Sequence, residues 1–300
     1  MLYRRKLILA LLEEFENKLL RTDFEKYLFL VSQEQIKMNN KSSYSFIPYK
    51  YGCFSILSYS DIDFLKKNNI ISDDVYFRKM DNISYSKELK KDDIYIIKEV
   101  YKKHHNKDTN SLLAFIYKNY PFYSINSEII DKYLSNDEIY AVKNPIESKK
   151  NPVLFTIGYE GIALEEYINK LLKNNIKLVI DVRKNAVSMK YGFSKYMMKK
   201  WLNNVNIEYE HIPQLGIEAE KREYLHTQKD YDILFENYKN TTLIDNFKYV
   251  EYVFLKFLEY KRIALTCFEA LPMQCHRSVI RNEITNLEYW NILEYGVKDI

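Results

Sequence analysis

Apolar residues in the first half of the chain recur at the spacing of α-helices. Residues 2–20 and 23–31 each carry an apolar stripe of helical period, and residues 60–71 repeat this pattern before ending in an apolar pair. An aromatic stretch, residues 44–55, separates the second and third segments. The order helix, helix, aromatic loop, helix and short strand is the outline of a winged-helix module. We therefore predict a mostly α-helical, winged-helix-like domain over residues 1–141.

Short apolar runs and helical segments alternate in the second half of the chain. Residues 153–157 form a predicted strand, residues 164–172 a helix and residues 176–180 the next strand. A strand, a helix and a strand in this order require a right-handed parallel crossover. The pattern also predicts a helix over residues 194–202 and an extended segment over residues 207–212. A long helix over residues 247–260 and a strand from Ile263 follow. We therefore predict an α/β domain over residues 153–300, a Rossmann-like three-layer sandwich with a mainly parallel sheet.

The composition is that of a two-domain protein without a membrane segment. Residues 142–152 combine two prolines and three lysines without periodicity and form the predicted linker. No apolar run approaches the roughly 18 residues that a membrane span needs, and residues 1–20 lack the small-residue cleavage site of a secretory signal. Three cysteines, an odd number, are typical of a reducing compartment. We therefore expect a cytoplasmic protein that does not contact membranes.

The formal net charge of +4 is small, and it arises in residues 1–150 because basic and acidic residues balance over residues 151–300. Nucleic-acid affinity depends on clustered cations rather than on net charge. Within the N-terminal half, Tyr49, Lys50 and Tyr51 interleave aromatic and basic side chains. Such residues can stack on bases and contact phosphate, so they are candidate nucleic-acid-binding residues, although packing between helices is the simpler explanation for the tyrosines.

Five short motifs follow one another in the second half of the chain. They are TIGYEG, DVR, GFSK, LGI with Arg222, and CFE followed by CHR, at residues 156–161, 181–183, 192–195, 215–222 and 267–277. In this order they resemble the motifs of the family called domain of unknown function 488, over about residues 151–295. The resemblance implies an α/β fold with a pocket and leaves the reaction open. After DVR the family usually has a proline and then a Ser-Arg pair, where this chain has Ala186, Ser188 and Met189. An anion contact from that arginine is therefore not carried over.

A second resemblance concerns the aromatic stretch. Residues 46–55 have the pattern F-x-P-Y-x-Y-G-x-x-S, which is similar to the SocA-like antitoxin and Panacea group, over about residues 5–140. The resemblance implies an antitoxin-like interaction of this domain with a protein partner.

Reactive side chains follow the ends of three predicted strands. If these strands are neighbours, their carboxyl ends meet in one crevice, where open α/β sheets bind ligands. Carboxylates can act as general bases or stabilise an oxocarbenium-like centre, and arginines can hold phosphate. We therefore predict four catalytic residues, namely Tyr159, Glu160, Asp181 and Glu269. The predicted substrate-binding residues are Arg183, Ser188, Cys275, His276 and Arg277.

Cys275 and His276 lie at the predicted start of the last helix. A helix N-terminus lowers the pKa of a thiol, which would make Cys275 nucleophilic or redox-active, but anion recognition by His276 and Arg277 is the more economical interpretation. Cys267 ends a buried strand and is assigned to packing. Zinc binding by the two cysteines and the histidine is disfavoured, since adjacent Cys and His rarely reach one ion and no CxxC pair is present. We therefore expect no metal and no cofactor.

Two classes of function remain open on the sequence. The first is a hydrolase acting on a nucleotide or on nucleic acid, DNA in the first place, by cleaving a phosphoester or, as a DNA glycosylase does, an N-glycosidic bond. Its setting would be phage defence or DNA metabolism. The alternative is a non-catalytic DNA-binding or nucleotide-sensing regulator, or an antitoxin-like interaction protein. The number of convergent acidic residues favours the enzyme.

Overall fold

The computed structural model describes residues 1–222, 225–292 and 295–300. The chain divides into two compact units, Met1–Lys143 and Asn144–Ile300. The first is mainly helical, and the second is an α/β unit with a five-stranded parallel sheet, which confirms the fold class predicted for the C-terminal domain. In the described ranges, no helix combines the length and the apolar character needed to cross a lipid bilayer.

Helices dominate the N-terminal unit. Its main elements in chain order are α1 (Tyr3–Glu14), β1 (Lys18–Leu20), α2 (Arg21–Lys37), β2 (Ile47–Tyr49), β3 (Gly52–Phe54), α3 (Ile56–Lys67), β4 (Ile71–Asp73), β5 (Tyr76–Lys79), α4 (Lys91–His104), α5 (Thr109–Asn119) and α6 (Asn136–Glu147). The strands β1, β5 and β4 form an antiparallel sheet in that order, and β2 and β3 form a separate hairpin. The winged-helix description of this unit stays a prediction.

The predicted helix over residues 2–20 is in fact a helix and a strand. The helix α1 stops before Glu16 and Asn17, whose left-handed backbone angles, φ 55° and 62°, turn the chain into β1. The helix α3 begins earlier than the sequence indicated because Ser55 caps it. The Ser55 side chain accepts a hydrogen bond from the Ser58 backbone nitrogen at 3.2 Å.

Part of the segment predicted as a linker is helical. The helix α6 extends to Glu147 and contains Pro145, so that residues 148–152 alone connect it to the next strand. A proline inside a helix removes one backbone hydrogen bond and usually ends the helix. For this reason the composition of the segment indicated a loop throughout.

The C-terminal unit alternates strands and helices. Its main elements are β6 (Val153–Gly158), α7 (Leu164–Lys173), β7 (Leu178–Asp181), α8 (Lys195–Asn203), β8 (Glu208–His211), α9 (Gln228–Tyr238), α10 (Phe247–Tyr260), β9 (Arg262–Cys267), α11 (His276–Thr285), α12 (Glu288–Ile292) and β10 (Gly296–Asp299). A short π-helical turn, Lys239–Leu243, follows α9.

The strand β9 lies at the centre of the parallel sheet, whose order is β10-β6-β9-β7-β8. All six residues of β9 are buried, as expected for a strand that is covered on both faces. The helix α7 buries one apolar stripe, which includes Leu164, Ile168 and Leu171. The chain forms β6 and β7 before it inserts β9 between them. The strand order therefore reverses at this point, where open α/β sheets bind ligands.

Two glycines allow backbone segments to approach closely at the carboxyl edge of the sheet. A Cβ atom on Gly158, the last residue of β6, would lie 1.9 Å from the carbonyl oxygen of Glu269. A Cβ atom on Gly216 would lie 2.0 Å from the backbone nitrogen of Lys184. A side chain at either position would displace the loop that follows β9 or β7. The two glycines therefore help to set where these loops lie.

Candidate active site

Three strands end side by side at the carboxyl edge of the sheet. In the strand register, Gly158 of β6 pairs with Cys267 of β9, and Asp181 of β7 pairs with Thr266 of β9. The strand ends that the sequence analysis required to be neighbours are therefore neighbours. Side chains from β6, β7 and β9 can meet there.

A cavity of about 320 Å³ opens at this edge. The charged side chains among its described lining residues are all basic, namely Arg183, Lys184 and Arg222. The remaining lining includes polar, aromatic and sulfur-containing side chains: Tyr159, Asn185, Ser188, Met189, Cys267 and Phe268. A cavity lined by charges of one sign concentrates ligands of the opposite sign. This lining therefore favours an anion.

The carboxylate of Asp181 is fully buried and both of its oxygens are engaged. It accepts hydrogen bonds from Arg183 Nε at 2.9 Å, from Arg183 Nη2 at 2.5 Å and from the Tyr209 hydroxyl at 2.7 Å. Arg183 also donates from Nη1 to the Tyr159 hydroxyl at 2.5 Å. This arrangement argues against the catalytic role expected of Asp181. Its carboxylate instead orients Arg183 at the cavity.

Polar groups from separate segments surround the sulfur atom of Cys267. Glu269 Oε2 lies 3.3 Å from Cys267 Sγ, and His276 Nδ1 lies 3.8 Å from it. Arg222 donates to Glu269 Oε1 at 2.7 Å and to His276 Nδ1 at 2.9 Å. The guanidinium therefore bridges the two side chains that flank the sulfur.

The pKa values of Cys267 and Glu269 are shifted in opposite directions. Burial by itself raises the pKa of the Cys267 thiol. A hydrogen bond from Cys275, together with the neighbouring His276 and Arg222, lowers this pKa by more, so that it lies well below its usual value. Burial, and then the charge of Cys267, raises the pKa of the Glu269 carboxyl. These opposite shifts favour the thiolate form of Cys267 and the protonated form of the Glu269 carboxyl.

Cys267, Cys275 and His276 form the set of potential metal ligands that the described part of the chain offers. Their ligand atoms lie within 4.8 Å of one another, and all three residues are buried. The argument that the adjacent Cys275 and His276 do not face one ion is therefore wrong. His276 Nε2 donates to the Val182 carbonyl oxygen at 2.9 Å, which orients the ring as in many metal sites. Arg222, however, donates to Nδ1, so a metal ion would have to displace a guanidinium.

Arg277 and Glu160 support the loop between β9 and α11. Arg277 is 1% exposed, and its guanidinium donates to the carbonyl oxygens of Glu269 at 2.5 Å and Ala270 at 3.0 Å. Glu160 accepts a hydrogen bond from the Ala270 backbone nitrogen at 3.0 Å. The donors of Arg277, which the sequence analysis assigned to phosphate, therefore hold the loop, and the Glu160 carboxylate braces the same loop.

Two further predicted site residues do line the cavity. The Tyr159 ring stacks on Phe193 with ring centroids 4.2 Å apart, and it meets Phe268 edge-on at 5.4 Å. Burial raises the pKa of the Tyr159 hydroxyl, so it stays protonated at neutral pH. The Ser188 hydroxyl accepts a hydrogen bond from the Lys190 backbone nitrogen at 3.2 Å. Ser188 also forms a hydrogen bond with the Tyr159 hydroxyl, and this contact lowers the pKa of Tyr159 in part.

The three candidate nucleic-acid-binding residues lie at the turn of the β2–β3 hairpin, in the N-terminal unit. Tyr51 is 54% exposed, whereas the Tyr49 ring lies 5.0 Å from the ring of Phe54. Lys50 forms an exposed ion pair with Glu128 at 3.1 Å. The nucleic-acid contact by this hairpin stays a prediction.

Sequence reasoning missed two side chains of the site. Arg222 belongs to the fourth motif, but it reaches Glu269 and His276 through a contact between distant segments that no local pattern reveals. Cys267 was assigned to packing because it ends a buried strand. The signal that could have located it is its place two residues before Glu269 and eight before Cys275, within one motif.

Comparisons with known proteins agree with the motifs. Residues 163–284 match the family described as Domain of unknown function DUF488, and this range includes Arg222, Cys267, Glu269 and His276. No curated protein and no solved structure matches the chain. The part of the chain that carries the candidate site is therefore similar to the family described as Domain of unknown function DUF488.

Proposed function

We propose that the C-terminal unit is a hydrolase that uses the Cys267 thiolate to cleave a phosphate ester of a nucleotide or of nucleic acid. The observation that carries this proposal is the position of Cys267 Sγ, 3.3 Å from a carboxyl group and in the wall of a cavity whose charged lining is basic. A thiolate is a strong nucleophile when its pKa is lowered by neighbouring groups. A basic cavity supplies it with an anionic substrate.

The reaction would proceed in two steps through a phosphocysteine. In the first, the Cys267 thiolate attacks phosphorus, the S–P bond forms and the P–O ester bond breaks, while the leaving oxygen takes the proton held by Glu269. In the second, water attacks phosphorus and the S–P bond breaks, while the Glu269 carboxylate accepts the proton of that water. Inorganic phosphate leaves and the thiolate is restored. Water is the only co-reactant.

Arg222 is the side chain best suited to hold the phosphate. Its guanidinium lies beside Cys267 and Glu269, and an arginine can contact two phosphate oxygens at once. Binding a dianion there would place phosphorus close to the sulfur, which lowers the barrier by orienting the reactants. Tyr159 and Ser188 can donate further hydrogen bonds from the cavity wall.

Cleavage of an N-glycosidic bond receives less support from this geometry. An oxocarbenium-like centre at the sugar, as in glycoside hydrolases, is stabilised by an ionised carboxylate that faces the substrate. Here both oxygens of Asp181 are engaged with Arg183 and Tyr209, which leaves Glu269 as the carboxyl group next to the cavity lining. We therefore favour phosphoester hydrolysis over base excision.

The test is phosphate release from a small aromatic phosphate ester, from mononucleotides and from oligonucleotides with 5′ or 3′ phosphates. We expect Cys267→Ser to abolish turnover and Glu269→Gln to reduce kcat by about 100-fold or more. Cys53→Ser, which removes a buried thiol of the N-terminal unit, is the matched control and should keep wild-type activity. Intact-mass analysis of the Glu269→Gln protein should detect a phosphoryl group on Cys267.

Three results would contradict the proposal. If the wild-type protein binds a nucleotide tightly but releases nothing, the C-terminal unit is a sensor. If Cys267→Ser is as active as the wild type, the thiolate is not the nucleophile. If the purified protein contains stoichiometric zinc that is lost in Cys275→Ser, the three sulfur and nitrogen ligands form a metal centre instead.

A further inference from the structure

In one continuous segment next to the cavity, all the charged residues are basic. Residues 182–207 contain no aspartate or glutamate, in a chain where acidic and basic residues are otherwise nearly balanced. The cations of this segment are Arg183, Lys184, Lys190, Lys195, Lys199 and Lys200. The first two line the cavity. The segment therefore begins at the candidate active site and leads away from it.

The helix α8 presents the later cations of the segment to solvent. Lys195, Lys199 and Lys200 are exposed, while Met198 and Leu202 are buried against the unit. Residues 195 and 199 are four apart and so share one face of the helix. Within the described residues, none of these three lysines forms a salt bridge, so their charge is available to a partner.

Exposed aromatic and apolar side chains accompany the lysines. Tyr196 is 73% exposed on α8, and Tyr191 is 46% exposed on the preceding loop. Met189 and Val187, which both line the cavity, are also exposed. Cations that follow a phosphate backbone, with aromatic rings on which bases stack, are the two components of single-strand binding surfaces. An acidic protein would use the lysines but would leave the tyrosines without a matching group.

We infer that residues 184–200 bind single-stranded nucleic acid and lead its phosphorylated end to the cavity. This inference rests on the proposed function and narrows its substrate from nucleotides in general to the end of a strand. The exposed face of α8 would contact backbone phosphates through Lys195 and Lys199, and Tyr196 would stack on a base. Lys184, at the cavity, would contact the phosphates nearest the reacting end.

The test is fluorescence anisotropy of a labelled, 5′-phosphorylated oligothymidylate with the full-length protein over a range of salt concentrations. We expect Lys195→Glu combined with Lys199→Glu to weaken binding by about 10-fold or more at moderate salt. The slope of log Kd against log salt should fall by about 1.4, since each single-strand phosphate contact contributes about 0.7. Tyr196→Ala should weaken binding by about 10-fold with an unchanged slope, because stacking involves no counterion release.

The matched control changes the same net charge elsewhere on the C-terminal unit. Lys229→Glu combined with Lys248→Glu alters two exposed lysines outside the segment and should bind as the wild type does. Equal binding by the Lys195 and Lys199 double variant and the wild type would overturn the inference. So would tighter binding to a duplex of the same length, or full displacement of the oligonucleotide by an equal concentration of polyglutamate.

A parallel assay separates this inference from the proposed function. Hydrolysis of a small aromatic phosphate ester does not involve the strand, so the Lys195 and Lys199 double variant should keep wild-type kcat on it. If the double variant binds the oligonucleotide as the wild type does while hydrolysis still requires Cys267, the segment is not the strand-binding surface. The enzyme proposal then stands. If hydrolysis is absent in the wild type, the enzyme proposal fails, and the anisotropy series alone decides the strand contact.

Discussion

Cys267 differs from the other two cysteines in its surroundings, although all three are buried. Burial raises the pKa of Cys53 to about 12. Burial, followed by the adjacent Cys267, raises the pKa of Cys275 well above its usual value. Cys267 combines a carboxyl oxygen 3.3 Å from its sulfur with neighbouring His276 and Arg222, which lower the pKa of its thiol. Electrostatic surroundings, rather than exposure, therefore single out one thiol.

This difference predicts selective alkylation by iodoacetamide at neutral pH. We expect Cys267 to be labelled first, because its lowered pKa favours the reactive thiolate and its sulfur lines the cavity. As pH falls from 9 to 7, its labelling rate should change little, whereas that of an ordinary thiol with a pKa of about 8.5 should fall by roughly 25-fold. Peptide mass mapping of the native protein measures both. Earlier labelling of Cys53, or labelling of Cys267 only above pH 9, would contradict the assignment.

Single residues of the site were partly predictable from sequence. The positions of Asp181 and Glu269 at strand ends followed from the apolar runs before them. Their roles did not, because the hydrogen bonds from Tyr209 and Arg222 connect segments that are 28 and 47 residues away along the chain. Local patterns carry no information about such contacts.

At the scale of elements, the loop between β9 and α11 determines where Glu269 lies. It is held from below by Arg277, which donates to two of its carbonyl oxygens and to the Thr156 hydroxyl. Gly158 permits the end of β6 to approach the same loop. Arg277 is thus a positioning residue, in contrast to the phosphate-binding role expected from its motif.

Replacement of Arg277 should therefore lower the stability of the protein and its kcat, and it should leave the electrostatic attraction of the substrate unchanged. We expect Arg277→Gln to lower the free energy of unfolding by about 3 kcal/mol, since buried carbonyl groups lose charged donors. It should reduce kcat while leaving the salt dependence of KM unchanged. Urea unfolding and kinetics at two salt concentrations measure these effects.

Arg281 provides the matched control one helical turn further along. Its ion pair with Asp299 is partly exposed, at 2.9 Å, so Arg281→Gln should cost less than about 1 kcal/mol. Equal destabilisation by the two substitutions would contradict the positioning role of Arg277. If Arg277→Gln has normal stability but a weaker salt dependence of KM, Arg277 binds the substrate instead.

Strands and helices were predictable where their buried side chains give the sequence a clear apolar period. The strands β6 and β9 and the helices α7 and α10 are apolar enough to be located from sequence. The helix α9 and the edge strand β10 were missed because few of their side chains are buried. The helix over residues 2–20 was predicted too long, since apolar residues of β1 continue the helical spacing past the left-handed turn at Glu16 and Asn17.

At the scale of the whole molecule, the chain consists of two units with separate cores. One hydrophobic cluster is formed by residues from α1 to α6, and another by residues from β6 onward. A unit with its own core can fold alone. The side chains that form the candidate active site all belong to the second unit.

Limited trypsin digestion should therefore release a C-terminal fragment that begins near residue 150. Lys149 and Lys150 are exposed and lie between the end of α6 and the start of β6. We expect residues 149–300 expressed alone to keep wild-type kcat on a small phosphate ester. Mass analysis of the fragments and the ester assay measure the two outcomes. An insoluble or inactive fragment would indicate that the second unit depends on the first.

The central place of β9 also has a consequence for synthesis on the ribosome. Among the described strands, the neighbours of β6 in the sheet are β9 and β10, the last two strands to be made, so these partners are absent while the intervening residues emerge. The strand β9 also carries Cys267 at its carboxyl end. Nascent chains that stop before residue 262 therefore lack both β9 and the sulfur atom of Cys267. Chains that extend past α11 contain both, so that assembly of the sheet and of the thiolate site fall within the same short interval of translation.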